Sequence, residues 1–144
     1  MPWDNTAPVL APIQSGLWAS VRFALTSGVT DPLTIANGAT VDGLTVATGN
    51  RFVCVGTRAD AGIYVVGASA STRATDANEA AEFVAHRAVD VTAGSADNIG
   101  RWVHKTTAAI TLGTTDLTFS KLTAEDETLL SGSFDNTAPS AATL

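Results

Sequence analysis

From residue 20 the chain breaks into short runs whose apolar positions recur every second residue, the period of a β-strand. Val21-Arg-Phe-Ala-Leu25 alternates apolar with small or polar residues, as a half-buried strand does. Asn37-Gly38 and Asp42-Gly43 are tight-turn dipeptides that tolerate positive φ. They flank short segments at 33–36 and 44–47. Gly49-Asn50 turns the chain into residues 51–55, where Phe52 and Cys54 share one face and Val53 and Val55 the other. Residues 63–66 are also apolar on both faces. A strand of that kind is covered on both sides, and in so small a domain the second cover comes from a short helix or from another subunit. Further strands are predicted at 87–91, 101–105, 109–112 and 117–122, with turns at 93–95 and 113–115. In the last strand Leu117 and Phe119 face one way, Thr118 and Ser120 the other.

Two segments break this period. Residues 76–84 read as a short helix that Asp76 caps, with Glu79 completing a capping-box pattern and Phe83 and Val84 as anchor. Residues 123–130 read as a second, capped by Thr123, with acidic residues at the positive end of its dipole and Gly132 ending it. The fold class is therefore mainly β. The expectation is a compact sandwich or barrel-like domain of short antiparallel strands, one or two short helices, and extended N- and C-terminal arms.

The N-terminal arm spans residues 1–19. Pro2, Pro8 and Pro12 each fix φ and remove a backbone donor, which excludes a helix or a central strand. Yet the arm carries Trp3, Val9, Leu10, Ile13, Leu17 and Trp18. It reads as an extended strap docked on a neighbour or on its own domain, followed by a β-rich unit at 20–122 and a helix and C-terminal arm at 123–144. Trp3-Asp-Asn-Thr-Ala-Pro8 is echoed by Phe134-Asp-Asn-Thr-Ala-Pro139. Two arms docking in equivalent grooves through an aromatic anchor would explain the echo; chance or an old duplication is the other explanation. The candidate interface residues are Trp3, Leu10, Ile13, Leu17, Trp18 and Phe134.

Composition narrows the partners. Charged residues make up 15% of the 144, and the net charge is −6. Without a cluster of Lys or Arg to neutralise phosphates, direct nucleic-acid binding is not expected, nor is binding to an anionic membrane. The weak charge fits a surface partly covered by other copies or partners, or simply a Thr-rich exposed surface. No apolar run of 18 residues or basic-apolar leader occurs, so neither a membrane span nor a secretory signal is expected. Assembly in a cytoplasm follows as the expectation.

Candidate chemistry is sparse. Cys54, the one cysteine, lies in an apolar run and reads as a small buried hydrophobe. His86 and His104 have no metal-ligand spacing, and His104 reads as a solvent-facing or hydrogen-bonded strand residue. No nucleophile elbow, phosphate loop or dinucleotide fingerprint is present. Turn and cap roles account for Asp31, Asp42, Asp60, Asp76, Asp97 and Asp116, and the faint calcium-loop look of Asp97-Asn98 lacks the alternating acids and terminal Glu. No enzyme activity, cofactor or metal is expected. Tyr64 and Trp102 are candidates for a sugar-stacking platform, against a core or interface role.

An ordered string of motifs carries a resemblance: Thr40-Val-Asp-Gly-Leu-Thr-Val-Ala-Thr-Gly-Asn-Arg51, Gly62-Ile-Tyr-Val-Val66, Thr72-Arg-Ala-Thr-Asp-Ala77 with Ala80-Ala-Glu82, Gly100-Arg-Trp-Val103, and Ile110-Thr-Leu-Gly-Thr-Thr-Asp-Leu-Thr-Phe119. Through these, residues 21–122 resemble a β-rich module of bacteriophage tail-fibre, tailspike and related virion structural proteins. The connector at 56–61 is shorter than in that family, and 106–109 lacks an Asp-Gly turn. The resemblance implies a virion component. The chain offers little beyond module and arms, so a capsid decoration (cement) protein is expected. It would be homo-oligomeric, a trimer for example, and bound to the major capsid protein or other virion proteins. A base or adaptor of a head or tail fibre is the alternative, and a carbohydrate- or receptor-binding module a further one.

Overall fold

The chain between residues 25 and 51 does two jobs at once: it links two neighbouring parallel strands and it roofs the sheet they belong to. The computed structural model describes residues 16–122. Its strands are β1 (Phe23–Leu25), β2 (Thr40–Val41), β3 (Leu44–Thr45), β4 (Arg51–Cys54), β5 (Gly56–Arg58), β6 (Gly62–Val65), β7 (Thr72–Arg73), β8 (Ala88–Val91), β9 (Gly100–His104) and β10 (Leu117–Lys121). They form a sheet of order β1-β4-β6-β7, a second of order β5-β10-β9-β8, and the small hairpin β2-β3. The mainly β fold read from the sequence is what the chain adopts.

Every ladder is antiparallel except β1–β4, where Phe23 pairs with Phe52 and Leu25 with Cys54 in parallel. Parallel neighbours cannot be joined by a tight turn. The crossover is instead the segment holding the 3-10 turn Pro32–Thr34 and the β2-β3 hairpin. At the tip of that hairpin Asp42 (φ 53) and Gly43 (φ 79) adopt the left-handed pair that such a turn demands.

Strands β4 and β6 are buried on both faces. Phe52 and Cys54 of β4 join Phe23, Leu25, Tyr64 and Val66 in an outer cluster roofed by Ile35, Val41 and Val46. Val53, Val55 and Ile63 face inward, against Val89, Val91, Leu117 and Phe119 of the other sheet. The second cover is thus the crossover of the same chain, neither a helix nor another subunit. Phe23, Phe52 and Tyr64 are cross-strand partners and stack in a row, with centroids 4.9 and 5.5 Å apart. Arg73 ends the row, 5.2 Å over the Tyr64 ring. The chain passes from one sheet to the other at Gly56, whose φ of 104° lets β4 run on into β5 around a corner.

Two predicted elements differ. Residues 76–84 do not form one helix but two 3-10 turns, Thr75–Ala77 and Ala80–Glu82. The Asp76 carboxylate does not cap: Arg51 holds it. The capping box forms three residues later, between Glu79 and Glu82, with Glu79 itself extended. Residues 109–112 are not a strand. Thr111 starts a turn, accepting the N–H groups of Thr114 and Thr115, while Ile110 and Leu112 pack half-buried on the inner core. The predicted helix at 123–130 lies outside the described residues.

Candidate interaction surface

The base of the N-terminal arm divides its side chains between core and solvent. Residues 16–21 run along β8 as a strap: the Trp18 N–H donates to the Ala88 carbonyl (2.9 Å), Ala88 N–H to Gly16 (3.0 Å), and Val21 N–H to Asp90 (2.9 Å). Trp18 turns inward and is 3% exposed. Its indole N–H donates to the Asp76 carbonyl at 3.0 Å. Its ring meets Phe83 (5.4 Å), Phe119 (5.8 Å) and His104 (6.3 Å), and the Arg87 guanidinium lies 4.6 Å over it. Leu17 turns outward and is 47% exposed, as is Val84 at 42%. Both lie beside Arg87, which reaches the Leu17 carbonyl and whose N–H donates to Val84.

Of the six interface candidates, Leu17 is therefore exposed and Trp18 is not. Trp18 is corrected to a core residue of its own domain, because its indole completes the aromatic cluster between the sheets. Trp3, Leu10, Ile13 and Phe134 lie outside the described residues.

The Tyr64–Trp102 platform is also corrected. Tyr64 is 2% exposed within the outer cluster, and its hydroxyl donates to the Asp60 carbonyl at 2.7 Å. Burial pushes that phenol up to about 12. Trp102 belongs to the other sheet, packs half-buried on the inner core, and donates its indole N–H to Asn98 (2.9 Å). The two rings share no face.

A second exposed apolar feature went unremarked in the sequence. Val29 is 92% exposed in a loop held from below by hydrogen bonds. Arg58 donates to the carbonyls of Ser27 and Thr30, both at 2.7 Å, and is clamped by Asp60. The Ser27 hydroxyl accepts the Val29 and Thr30 N–H groups. The turn residues Ser27, Gly28 and Asp31-Pro32 signalled a loop; an apolar residue among them was the available hint. Beside it lies an open groove of about 270 Å³ lined by Leu25, Ile35, Val41, Thr26, Thr30 and Thr40.

The polar side chains are largely committed to structure. Cys54 is fully buried and its thiol is pushed up to about 12 by desolvation, which keeps it protonated at neutral pH. Asp42 accepts the Ser95 N–H (2.8 Å) and the Asn98 amide (3.1 Å), which hold its carboxyl below the usual range and pin the β2-β3 hairpin to the 93–98 loop. Arg58 lowers Asp60 and Arg101 lowers Asp90 in the same sense. Among the described residues no three His, Cys, Asp or Glu side chains are grouped to hold a metal ion, and no helix is long and apolar enough to cross a membrane. Comparison with family models, curated proteins and solved structures yields no match.

Proposed function

We propose that this chain is a non-enzymatic structural protein of a bacteriophage particle, acting as a capsid decoration protein that stabilises the shell. The observation that carries this reading is the split at the arm's base. Trp18 anchors the strap in the domain's own core, while Leu17 and Val84 stand exposed where the arm leaves. A rigid anchor with apolar neighbours suits an arm that docks on another subunit. The likeness of residues 21–122 to virion modules supports it, as does the commitment of Cys54 and the paired Asp residues to packing, turns and ion pairs.

The mechanism is passive. Arms and exposed apolar residues bury surface across neighbouring coat subunits, each Å² of apolar area contributing about 25 cal/mol. Because the decoration protein binds the assembled lattice in preference to free subunits, binding shifts the equilibrium toward the lattice. A homo-oligomer, such as a trimer at a local three-fold axis, would multiply that effect.

Cryo-electron microscopy of the purified particle, with mass spectrometry of its proteins, tests this reading. The expected result is density for this chain on the capsid lattice, with residues 1–15 running between coat subunits. Density at a vertex or tail would make it a fibre base or adaptor instead. Absence of the chain from purified particles would overturn the virion role altogether.

A further inference from the structure

His104, on β9, is an ionisable side chain at 0% exposure. Phe119 (5.3 Å), Phe83 (5.6 Å) and Trp18 (6.3 Å) enclose its ring. Nδ1 lies 3.1 Å from the Val84 carbonyl oxygen. A carbonyl only accepts, so the neutral ring carries its proton on Nδ1 and leaves Nε2 bare. Nε2 is buried and has no hydrogen-bond partner among the described residues. The backbone cannot yield easily: His104 N–H donates to Arg87 (2.8 Å), His86 N–H donates to the His104 carbonyl (2.7 Å), and Phe119 pairs from β10.

The surrounding ionisable groups offer no counter-charge. His86 and Arg87 lead into β8, Lys105 follows in the chain, and Arg73 reaches over Phe83 (5.9 Å); all are basic. The acids on the packed elements are engaged elsewhere: Arg51 holds the Asp76 carboxylate, Glu79 accepts the Glu82 N–H, Glu82 accepts the N–H groups of Asn78 and Glu79, and Asp90 pairs with Arg101. Strap residues 16–21 contain no ionisable side chain. Burial holds the imidazole below its ordinary range, with the His86 charge acting in the same direction and the Val84 bond opposing.

We propose that His104 is a proton-sensitive latch on the strap: a proton taken from solvent onto Nε2 makes an imidazolium that needs water, and Trp18 is the lid that gives way. Trp18 is the enclosing ring carried by the strap, which lies outside both sheets. The strap pairs with β8 through isolated bridges at Leu17–Ala88 and Val21–Val91, whereas β9 is laddered on both sides. The strap carries the N-terminal arm, so acid would loosen the arm's anchor while the sheets persist. This inference does not depend on the virion reading and is tested on the isolated chain.

The experiment is NMR of the full-length protein between pH 7.5 and 5, following the His104 ring shifts and the hydrogen-exchange protection of the Trp18 and Trp102 indole N–H groups. Because the folded-state pKa is lowered, docking is fully stable above the ordinary histidine value of about 6.5. Trp18 protection should then fall about tenfold per pH unit until His104 is protonated. Expected are a Trp18 loss sharing its midpoint with the His104 titration, unchanged Trp102 protection, and no acid loss in His104→Gln. His104→Leu, which removes the charge entirely, should behave as the Gln variant does; if it fails to fold, the wild-type midpoints and the Gln variant still decide. A pH-independent Trp18, separate midpoints, an acid loss persisting in His104→Gln, or joint loss of both indoles through global unfolding would each overturn the latch.

Discussion

Arg51 and Asp76 form a two-pronged ion pair, Nη1 to Oδ1 and Nη2 to Oδ2 both at 3.1 Å. The same guanidinium donates to the carbonyls of Ser20 (3.2 Å) and Ala19 (3.0 Å), and the Asp76 carbonyl takes the Trp18 indole N–H. One arginine thus ties β4, the 3-10 turn Thr75–Ala77 and the strap together. Replacing Asp76 with Ala should lower unfolding stability by about 1–3 kcal/mol, because it strips the carboxylate from two part-buried Arg51 donors. Urea denaturation measures it; a change near zero would mean the pair is only a surface contact.

The inward and outward residues of the strap should differ sharply. Trp18→Ala is expected to cost about 3–5 kcal/mol, as for other large aromatics removed from a core. Leu17→Ala should stay within about 0.5 kcal/mol in the isolated protein. Equal losses in thermal or chemical unfolding would contradict the division of roles at the arm's base.

Two glycines make opposite predictions. Gly94 has φ 105°, and a Cβ there would lie 2.2 Å from Asp42 Oδ2. Gly94→Ala should therefore cost about 1–3 kcal/mol through strain and a displaced carboxylate. Gly28 has open space around it and no positive φ, so Gly28→Ala should be neutral or stabilise by up to about 1 kcal/mol. Calorimetry of the two variants checks both signs.

Stability should fall with acid in two stages. Lowered carboxyls at Asp42, Asp60 and Asp90 contribute stability that is present above the ordinary aspartate value of about 3.9 and is lost as pH falls below it. The His104 contribution is lost earlier, below about 6.5. Unfolding curves across pH should show both declines in the wild type, with Asp90→Asn reducing only the lower one.

Cys54 should resist alkylation in the native protein at pH 8, where a thiol at about 12 is almost entirely protonated and fully enclosed. Denaturant should release ordinary reactivity. Rapid native labelling would show that the outer cluster opens.

The unbroken apolar runs at 52–55 and 63–66 made both faces of the central strands legible as buried. It did not reveal what buries the outer face, because Ile35, Val41 and Val46 are spread along an irregular crossover with no period of its own. The capping signal at Asp76 misled for a related reason. A carboxylate that caps in isolation is worth more when a guanidinium from β4 reaches it, and Arg51 is distant in sequence. Tyr64 and Trp102 were legible as aromatics on strands, but their separate sheets follow from strand order alone.

What the sequence by itself determined is local: strand periods, the Asp42-Gly43 turn, the shared face of Leu117 and Phe119, and the buried thiol. These depend on neighbouring residues and on backbone sterics, which act over a few positions. The tertiary structure decided the rest. It paired β1 in parallel with β4, drew Trp18 into its own domain, and closed three aromatic rings around His104. Each of these brings together residues far apart in the chain, and only the packing of one sheet against the other selects them.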